Sequence, residues 1–268
     1  MTGFSSEWLA LREKLDHRAR NRAVLDAVAA AFAGHDRVCV VDLGSGTGST
    51  LRALSGQLPR PQHWRLVDDD PVHLAEAAAA PRPGDVDIDT LHFDLRGDIT
   101  ELFDGSTALV TASALLDLVS EPWLANLAAA VAARSLPVYM ALSYDGRVVF
   151  GDEDDLDSAV IAAVNAHQRR DKGFGPALGP RAAASAQRIF QLFGYTVTQG
   201  PSDWSAGPDD TQFQKELLTG WRDAAAEMES LPRSELEDWY ARRIRAADAG
   251  YLTLHVGHVD FFARPRKR

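Results

Sequence analysis

The sequence predicts an α/β protein built on a mostly parallel sheet with helices on both faces. Five apolar runs with strand character alternate with helical stretches between residues 37 and 144, and short loops join them. These runs are continuously apolar, as strands buried on both faces are. The loop Gly44-Ser45-Gly46-Thr47-Gly48 directly follows the first run, at the strand end where open α/β sheets bind ligands.

The chain opens with two predicted helices. Ser5 or Ser6 can cap the first, because a serine side chain accepts a hydrogen bond from the first turn of a helix. The second runs from Asn21 to Phe32 with its apolar residues on one face, and Gly34 stops it.

Strands and helices then take turns. The apolar runs predict strands at residues 37–43, 63–68, 88–95, 107–113 and 137–144. The stretches between them predict helices at residues 49–58, 71–80 and 121–134. Such an alternation with short loops is typical of a parallel sheet covered by helices.

The second half of the chain is less regular. Helices are predicted at residues 152–170 and 181–194, a strand at 195–200 and a last strand at 251–265. A helical insertion of about residues 205–250 precedes the last strand. In it, Ser234 and Glu237 form a capping box for a helix that ends near Gly250. No repeat or low-complexity linker divides the sequence, so residues 1–268 are predicted to form a single domain.

Composition argues against several partners. A net charge of -10 disfavours binding to nucleic acid, which requires clustered Lys and Arg. The basic cluster at residues 263–268 is predicted to be a solvated tail. Cys39 is the only cysteine, so no disulfide can form within the chain and we expect a reducing cytoplasm. No apolar stretch has the length of a signal peptide or a membrane span.

The glycine loop fits neither of two common phosphate-binding patterns. A dinucleotide fingerprint needs a glycine at Ser49, and a phosphate-binding loop needs a lysine that this loop lacks. Acids stand at the ends of three successive predicted strands, namely Asp42, Asp68 and Asp94. They would repel a pyrophosphate, yet they suit a cofactor with a cation, a ribose and an exocyclic amine. S-adenosylmethionine has all three.

At these residues the sequence resembles the class I S-adenosylmethionine-dependent methyltransferases. Residues 42–48, DLGSGTG, match their D-x-G-x-G-x-G motif position for position. LVDDDPVHL resembles their acid-x-x-Pro segment, and FDL resembles the segment after their third strand. The resemblance covers about residues 36–145. It implies a Rossmann-like fold with seven strands, a helical cover at residues 1–35, a cofactor-binding core at 36–150 and a C-terminal half at 151–268, in an enzyme of bacterial origin.

The resemblance also implies roles for the residues that match. The glycines let the backbone approach the methionine part of S-adenosylmethionine, while Asp42 fixes the loop or faces the ammonium group. Asp68 is the predicted ribose acid, Asp94 meets the adenine amine and Leu95 supplies a backbone contact. The predicted cofactor set is Arg20, Asp42, Gly44, Ser45, Gly46, Gly48, Asp68, Asp69, Asp94, Leu95 and Ser113. Arg20 is the predicted partner of the cofactor carboxylate.

The acceptor site is less defined by the sequence. The fourth strand continues into ASALLDL, not into the Asn/Asp-Pro-Pro-Tyr/Phe of family members that methylate amino groups of bases, glutamine or DNA. Ser113 and Ala114 are predicted beside the reacting methyl group. Asp117 either contributes to the site or caps a turn.

A face of the first helix offers further candidates. Arg12, Asp16 and Arg20 recur every four residues, so they share one face. Either they form an exposed, salt-bridged stripe, or Arg12 holds an acidic substrate, with Asp16 beside it, while Arg20 reaches the cofactor.

Tyr144 and His167 are the predicted catalytic residues. Tyr144 ends the fifth strand at the binding edge, and the unperturbed pKa of histidine suits His167 to act as a general base, although a surface or helix-capping role is the alternative. Lys172 lies in a Gly- and Pro-containing loop of the kind that often forms a lid.

The aromatic residues of the insertion have two interpretations. Their helical spacing predicts that most lie in the core, but one or two could stack on a flat substrate if the insertion closes over the site. They are Trp204, Trp221, Trp239 and Tyr240, of which Trp204 is the predicted substrate contact. The insertion could instead make a homodimer contact. His255 and His258 are predicted on opposite faces of the last strand, and no metal site is predicted.

Together these patterns predict S-adenosylmethionine-dependent methyl transfer to a small molecule, at oxygen or nitrogen. A protein or RNA methyltransferase is disfavoured by the acidic composition. A non-catalytic module that binds the cofactor or a partner is the alternative from another class. A nucleotide-dependent oxidoreductase is weakened by the glycine spacing.

Overall fold

The computed structural model describes residues 4–266, so the last two residues of the predicted basic tail lie outside the described range. Its centre is one mixed sheet of eight strands in the order β3-β2-β1-β4-β5-β8-β6, with β7 also paired to β8. The strands are β1 (Val38–Leu43), β2 (Gln62–Asp68), β3 (Val86–His92), β4 (Leu109–Ser113), β5 (Val138–Phe150), β6 (Tyr195–Pro201), β7 (Trp204–Ala206) and β8 (Leu254–Pro265). The first five strands pair in parallel, whereas β8 is antiparallel to β5, β6 and β7.

Helices cover both faces of this sheet. They are α1 (Ser6–Ala19), α2 (Arg22–Phe32), α3 (Ser49–Leu54), α4 (Pro71–Ala79), α5 (Glu121–Ala133), α6 (Asp157–His167), α7 (Ala182–Leu192), α8 (Thr211–Glu227) and α9 (Arg233–Asp248). The helical insertion is confirmed as α8 and α9. Within residues 4–266, no helix combines the length and apolarity that a membrane span requires.

Side-chain caps account for the starts of α1, α2 and α4. Ser5 Oγ accepts from Trp8 N, and Asn21 Oδ1 accepts from Val24 N, so each side chain pairs a backbone N–H of the first turn. Asp70 caps α4 in the same way, with Pro71 at the first helical position.

Two element predictions are wrong in detail. Ser234 does not cap α9, because the helix already begins at Arg233, with Pro232 before it and no side-chain cap. Strand β3 ends at His92 rather than at residue 95, which places Asp94 in the following loop. The predicted mostly parallel sheet is confirmed: seven strands form its main order, and the three residues of β7, which pair with β8, add an eighth.

The two faces of the sheet bury two apolar clusters. Successive residues of β1 point to opposite faces and so belong to different clusters. Val40 packs with α1, α2, α8 and α9, and Val41 packs with α5 and α7. The insertion contributes Trp221 and Trp239 to the first cluster, and both side chains are buried, which confirms their predicted place in the core. The first face therefore carries both the N-terminal helices and the insertion.

Candidate functional site

The glycine loop lies where the strand order reverses. Strand β1 pairs with β2 on one side and β4 on the other, so the loop after β1 stands at the switch point at which open α/β sheets bind ligands. Gly44, Gly46 and Gly48 have φ values of 62°, 51° and 85°, in the left-handed region that favours glycine. A Cβ on Gly46 would stand 3.2 Å from Leu9 Cδ1, so α1 packs directly on the loop.

Three consecutive acids after β2 have three different environments. Asp68 is buried and supports the loop: its Oδ2 accepts from Gly46 N at 2.7 Å, and its Oδ1 accepts from Asp70 N at 3.0 Å. Asp69 is exposed, and Asp70 is the helix cap described above. Of the three, only Asp68 combines burial with contact to the glycine loop.

The loop after β3 holds the predicted adenine contacts. Asp94 is exposed and accepts from Arg96 Nε at 2.8 Å, and these hydrogen bonds lower the pKa of the Asp94 carboxyl. Leu95 is buried, and its carbonyl accepts from Trp123 Nε1 at 2.7 Å. A ligand at Asp94 would therefore have to share this carboxylate with Arg96.

Asp42 is fully buried at the end of β1. Its Oδ1 accepts from Thr111 Oγ1 of β4 at 2.7 Å, while its Oδ2 has no partner. Burial raises the pKa of Asp42 to about 7, although Thr111 and the charge of Arg20 favour the ionised form. A cationic group brought to Oδ2 would favour the ionised form further.

Arg20 lies just beyond α1 and reaches the same point. Its Nη2 donates to Ser113 Oγ, at the end of β4, over 3.0 Å, and its Nη1 donates to Tyr139 Oη over 3.3 Å. The side chain is buried and its Nε has no partner. The structure thus brings Arg20, Asp42 and Ser113 together at the switch point.

Unpartnered polar atoms concentrate at this edge. Within residues 4–266, seven buried side-chain atoms lack a hydrogen-bond partner, a state that is costly and unusual in proteins. Five belong to the residues around the strand ends and the loop: Arg20 Nε, Asp42 Oδ2, Ser45 Oγ, Asp117 Oδ1 and Ser143 Oγ. This donor and acceptor set fits a ligand with a carboxylate and an ammonium group, as S-adenosylmethionine has.

The polar face of α1 is buried, which excludes the interpretation as an exposed stripe. Asp16 Oδ2 pairs with Arg12 Nε at 3.1 Å, and its Oδ1 accepts from Trp204 Nε1 at 2.8 Å. Asp16 is 1% exposed, so both of its oxygens are engaged in the interior. The guanidinium group of Arg12 lies over the Trp204 ring, 6.0 Å from the ring centroid.

Asp117 follows β4, in the segment where the sequence predicts the acceptor site. Ala114, just beyond β4, has φ of 50°, and Asp117, three residues later, is buried with Oδ1 unpartnered. Burial raises the pKa of Asp117 to about 6, opposed by the charges of Arg12 and Lys172. A buried carboxyl of this kind suits contact with an N–H or O–H group.

The predicted catalytic residues lie on the same side. Tyr144 is buried and donates to Asn165 Oδ1 of α6 at 2.8 Å. Both ring nitrogens of His167 have neighbours, since Nδ1 lies 3.3 Å from Lys172 Nζ and Nε2 lies 3.3 Å from Glu227 Oε2. Burial, followed by the charge of Lys172, lowers the pKa of His167. Asp117 Oδ1, unlike either ring nitrogen of His167, has no hydrogen-bond partner.

The protein is similar in fold to solved structures over nearly its whole length. A cyclopropane-fatty-acyl-phospholipid synthase-like protein from Lactobacillus casei superposes with a TM-score of 0.53 at 14% identity, over 98% of this chain and 94% of that one. A cyclopropane synthase from Mycobacterium tuberculosis gives a TM-score of 0.51 at 12% identity, over 97% of this chain and 94% of that one. The chain has the class I methyltransferase fold. No model of a protein family matches the sequence, and neither does any curated protein.

In this methyltransferase fold, His258 is a buried residue beside the site that was not assigned from the sequence. His258 of β8 packs 4.4 Å from the Trp204 ring and 5.9 Å from the Tyr144 ring, and its Nδ1 lies 2.9 Å from the Val256 carbonyl. Burial lowers its pKa to about 4, so the imidazole is neutral. The spacing of His255 and His258 predicts opposite faces, which the exposed His255 and buried His258 confirm, but no local signal shows what His258 packs against.

Two surface hollows lie away from the candidate site. One is lined by Arg37, Cys39, His63 and Ser106, and the other by Phe103, Asp104, Gly105, Thr107, Arg134 and Leu136. These residues lie at the amino-terminal ends of the strands, opposite the glycine loop. The candidate site itself is covered by α1. Within residues 4–266, no group of three or more His, Cys, Asp or Glu side chains is placed to hold a metal ion.

Proposed function

We propose that this protein transfers a methyl group from S-adenosylmethionine to a small-molecule acceptor, at oxygen or nitrogen. The observation that carries the proposal is the set of unpartnered buried atoms at the switch point, namely Arg20 Nε, Asp42 Oδ2 and Ser45 Oγ, beside the left-handed glycines. A charged ligand with an amino-acid end would satisfy these atoms, and the fold supports the same interpretation.

The chain offers a distinct group for each part of the cofactor. The glycines leave room for close approach of the methionine part, Arg20 is a cation for its carboxylate and Asp42 is an acid for its ammonium group. Asp68 and Asp69 stand at the ribose position, and Asp94 with Leu95 at the adenine position. When bound, S-adenosylmethionine supplies an electrophilic methyl group on a positively charged sulfur.

The acceptor side favours a small molecule. Asp117 and Tyr144 are each 7% exposed, so a group that contacts them must be small enough to pass between the surrounding elements. Asp117 Oδ1 would accept the hydrogen bond of the attacking N–H or O–H and take its proton. Arg12 and Lys172 act on Asp117 through their charges and favour its ionised form. Substrate contacts by Asp16, Ala114 and Trp204 stay predictions from the sequence, since both Asp16 oxygens already pair with Arg12 and Trp204.

Calorimetric titration tests the cofactor. We expect S-adenosylmethionine or S-adenosylhomocysteine to bind with a micromolar Kd, about -8 kcal/mol, and NADH not to bind. Asp68→Ala should weaken that binding about tenfold or more, since it removes a charged hydrogen-bond acceptor and the support of Gly46.

Asp70→Ala is the matched control. It removes a helix cap two residues away and should cost about 1 kcal/mol of unfolding free energy without changing the Kd. Absence of binding by either adenosyl ligand would contradict the proposal. Binding without methylation of any acceptor in a broad screen would instead favour the non-catalytic module.

A further inference from the structure

A buried carboxylate in β8 has three hydrogen-bond donors. Asp260 is 0% exposed, and its Oδ1 accepts from Leu142 N at 2.8 Å. Its Oδ2 accepts from Asn21 N at 2.9 Å and from Tyr139 Oη at 3.2 Å. Leu142 has φ of 54°, so the local chain path of β5 is strained in order to aim its N–H at this carboxylate.

Tyr139 connects this carboxylate to Arg20. Its hydroxyl donates to Asp260 and accepts from Arg20 Nη1 at 3.3 Å. Burial raises the pKa of Tyr139, so the hydroxyl keeps its proton and this direction of donation is maintained. Asp260, Tyr139 and Arg20 therefore form one oriented chain of hydrogen bonds that runs from β8 to the switch point.

This chain of hydrogen bonds leaves one N–H group of the Arg20 guanidinium without a partner. Nη1 is directed to Tyr139 and Nη2 to Ser113, while the buried Nε has no partner. A buried guanidinium needs an anion near it, because an uncompensated charge in the interior is costly. Although burial opposes its charge, the neighbouring Tyr139 and Asp260 favour the charged form of Arg20 and raise its pKa.

Asp260 also fixes the segment that carries Arg20. Asn21, whose N–H it accepts, is the next residue and the cap of α2. One carboxylate thus restrains both the backbone beside Arg20 and, through Tyr139, its side chain. If Asp260 served only the stability of the fold, its hydrogen bonds would not need to extend to the Arg20 guanidinium at the ligand-binding edge.

We propose that Asp260 is a positioning residue that, through Tyr139, holds Arg20 in place to bind the carboxylate of the cofactor's amino-acid end. This inference rests on the proposed function, because it takes the ligand to be S-adenosylmethionine or its product. It assigns Asp260 and Tyr139 a role in distinguishing ligands with that carboxylate from ligands without it.

Two matched ligands isolate the carboxylate. S-adenosylhomocysteine and its decarboxylated analogue differ only in that group, so the ratio of their Kd values measures its recognition. In Tyr139→Phe, we expect the Kd of S-adenosylhomocysteine to rise about tenfold, as when a hydrogen bond to a charged group is lost, and that of the analogue to change less than about twofold. Asp260→Asn should show the same pattern and serves as the second variant if the first does not fold. Arg20→Met should abolish the preference.

Tyr195→Phe is the control for the loss of a buried phenol. Tyr195 is 1% exposed in β6 and donates to the Leu136 carbonyl at 2.9 Å, so its removal should lower the Tm without changing the ratio. Equal weakening of both ligands by Tyr139→Phe and Asp260→Asn, or no weakening of either, would overturn the positioning role. Failure of the unaltered protein to bind S-adenosylhomocysteine would instead refute the proposed function.

Discussion

At the residue scale, Asp42 shows how a buried acid can depend on its ligand. The carboxyl has one partner, Thr111, and faces the cation Arg20 and the acid Asp68. Burial favours its neutral form, and the raised pKa of about 7 follows. The free protein therefore keeps an acid that is half ionised near neutral pH at the place where an ammonium group is expected.

This pKa makes stability depend on pH with a defined sign. Between the pKa of an exposed aspartate, about 4, and the folded-state value of about 7, the folded protein binds more protons than the unfolded chain. The contribution of Asp42 to stability is thus present below pH 4 and is lost as pH rises to 7. Asp42→Asn removes this dependence, so the variant should gain up to about 1.4 kcal/mol per pH unit relative to wild type across that range.

Denaturant unfolding at several pH values measures this difference. Asp87→Asn, which replaces an exposed carboxyl on β3, is the control and should show no such trend. A free-energy difference between Asp42→Asn and wild type that stays constant from pH 4 to 7 would contradict the raised pKa.

At the element scale, α1 connects the glycine loop with the insertion. Glu13 binds Arg52 of α3 through two hydrogen bonds of 2.6 and 2.7 Å, and Arg52 also donates to the Thr47 carbonyl. On its other side, Trp8 stacks on Phe213 of α8 with ring centroids 5.5 Å apart. Because the Leu9 side chain of α1 also packs against Gly46, a ligand that enters above the loop has to displace it.

The Glu13–Arg52 pair should therefore control the opening of α1. Although burial opposes ionisation, hydrogen bonds and charge from Arg52 lower the pKa of Glu13, so the pair is ionic at neutral pH. Glu13→Gln should cost about 1 kcal/mol, which is about a fivefold increase in hydrogen exchange of α1 amides. Stopped-flow mixing should also show faster association of S-adenosylhomocysteine.

A second ion pair is the control for that experiment. Arg22 and Asp26 form an exposed pair on α2 at 3.0 Å, and Asp26→Asn should leave exchange in α1 and ligand association unchanged. Unaltered exchange of α1 in Glu13→Gln would show that the apolar contacts of Leu9 and Trp8, rather than the ion pair, hold the helix closed.

At the scale of the whole molecule, the insertion is part of the main core. Phe213, Trp221 and Trp239 pack in the same buried cluster as Val24 of α2 and Trp64 of β2. Elements that share one apolar cluster are expected to unfold together, so a single domain implies cooperative unfolding.

We expect one unfolding transition for the entire chain. Tryptophan fluorescence and far-UV circular dichroism should give coincident curves in denaturant. S-adenosylhomocysteine at about 100 times its Kd should stabilise the protein by about 2.7 kcal/mol in both signals. An early transition in fluorescence alone would show that the insertion unfolds as a separate unit.

The sequence by itself determined the fold and the candidate ligand-binding edge. Continuous apolar runs separated by helical stretches specify buried parallel strands, and the glycines with the acids at the strand ends mark the ligand-binding edge through local spacing. The loop around Gly46 and the shared helix face of Arg12, Asp16 and Arg20 could be predicted for the same reason, whereas the burial of that face could not. Both follow from periodicity and backbone conformation.

Only the tertiary structure decided which polar groups meet. Asp260 lies 240 residues after Arg20 in the sequence, and their link through Tyr139 depends on the antiparallel register of β5 and β8. The same holds for Asp68, Asp69 and Asp70, which are identical in type yet differ in burial and partners. Residue spacing encodes local conformation, whereas burial and the pairing of distant charges arise only when strands far apart in the chain come together.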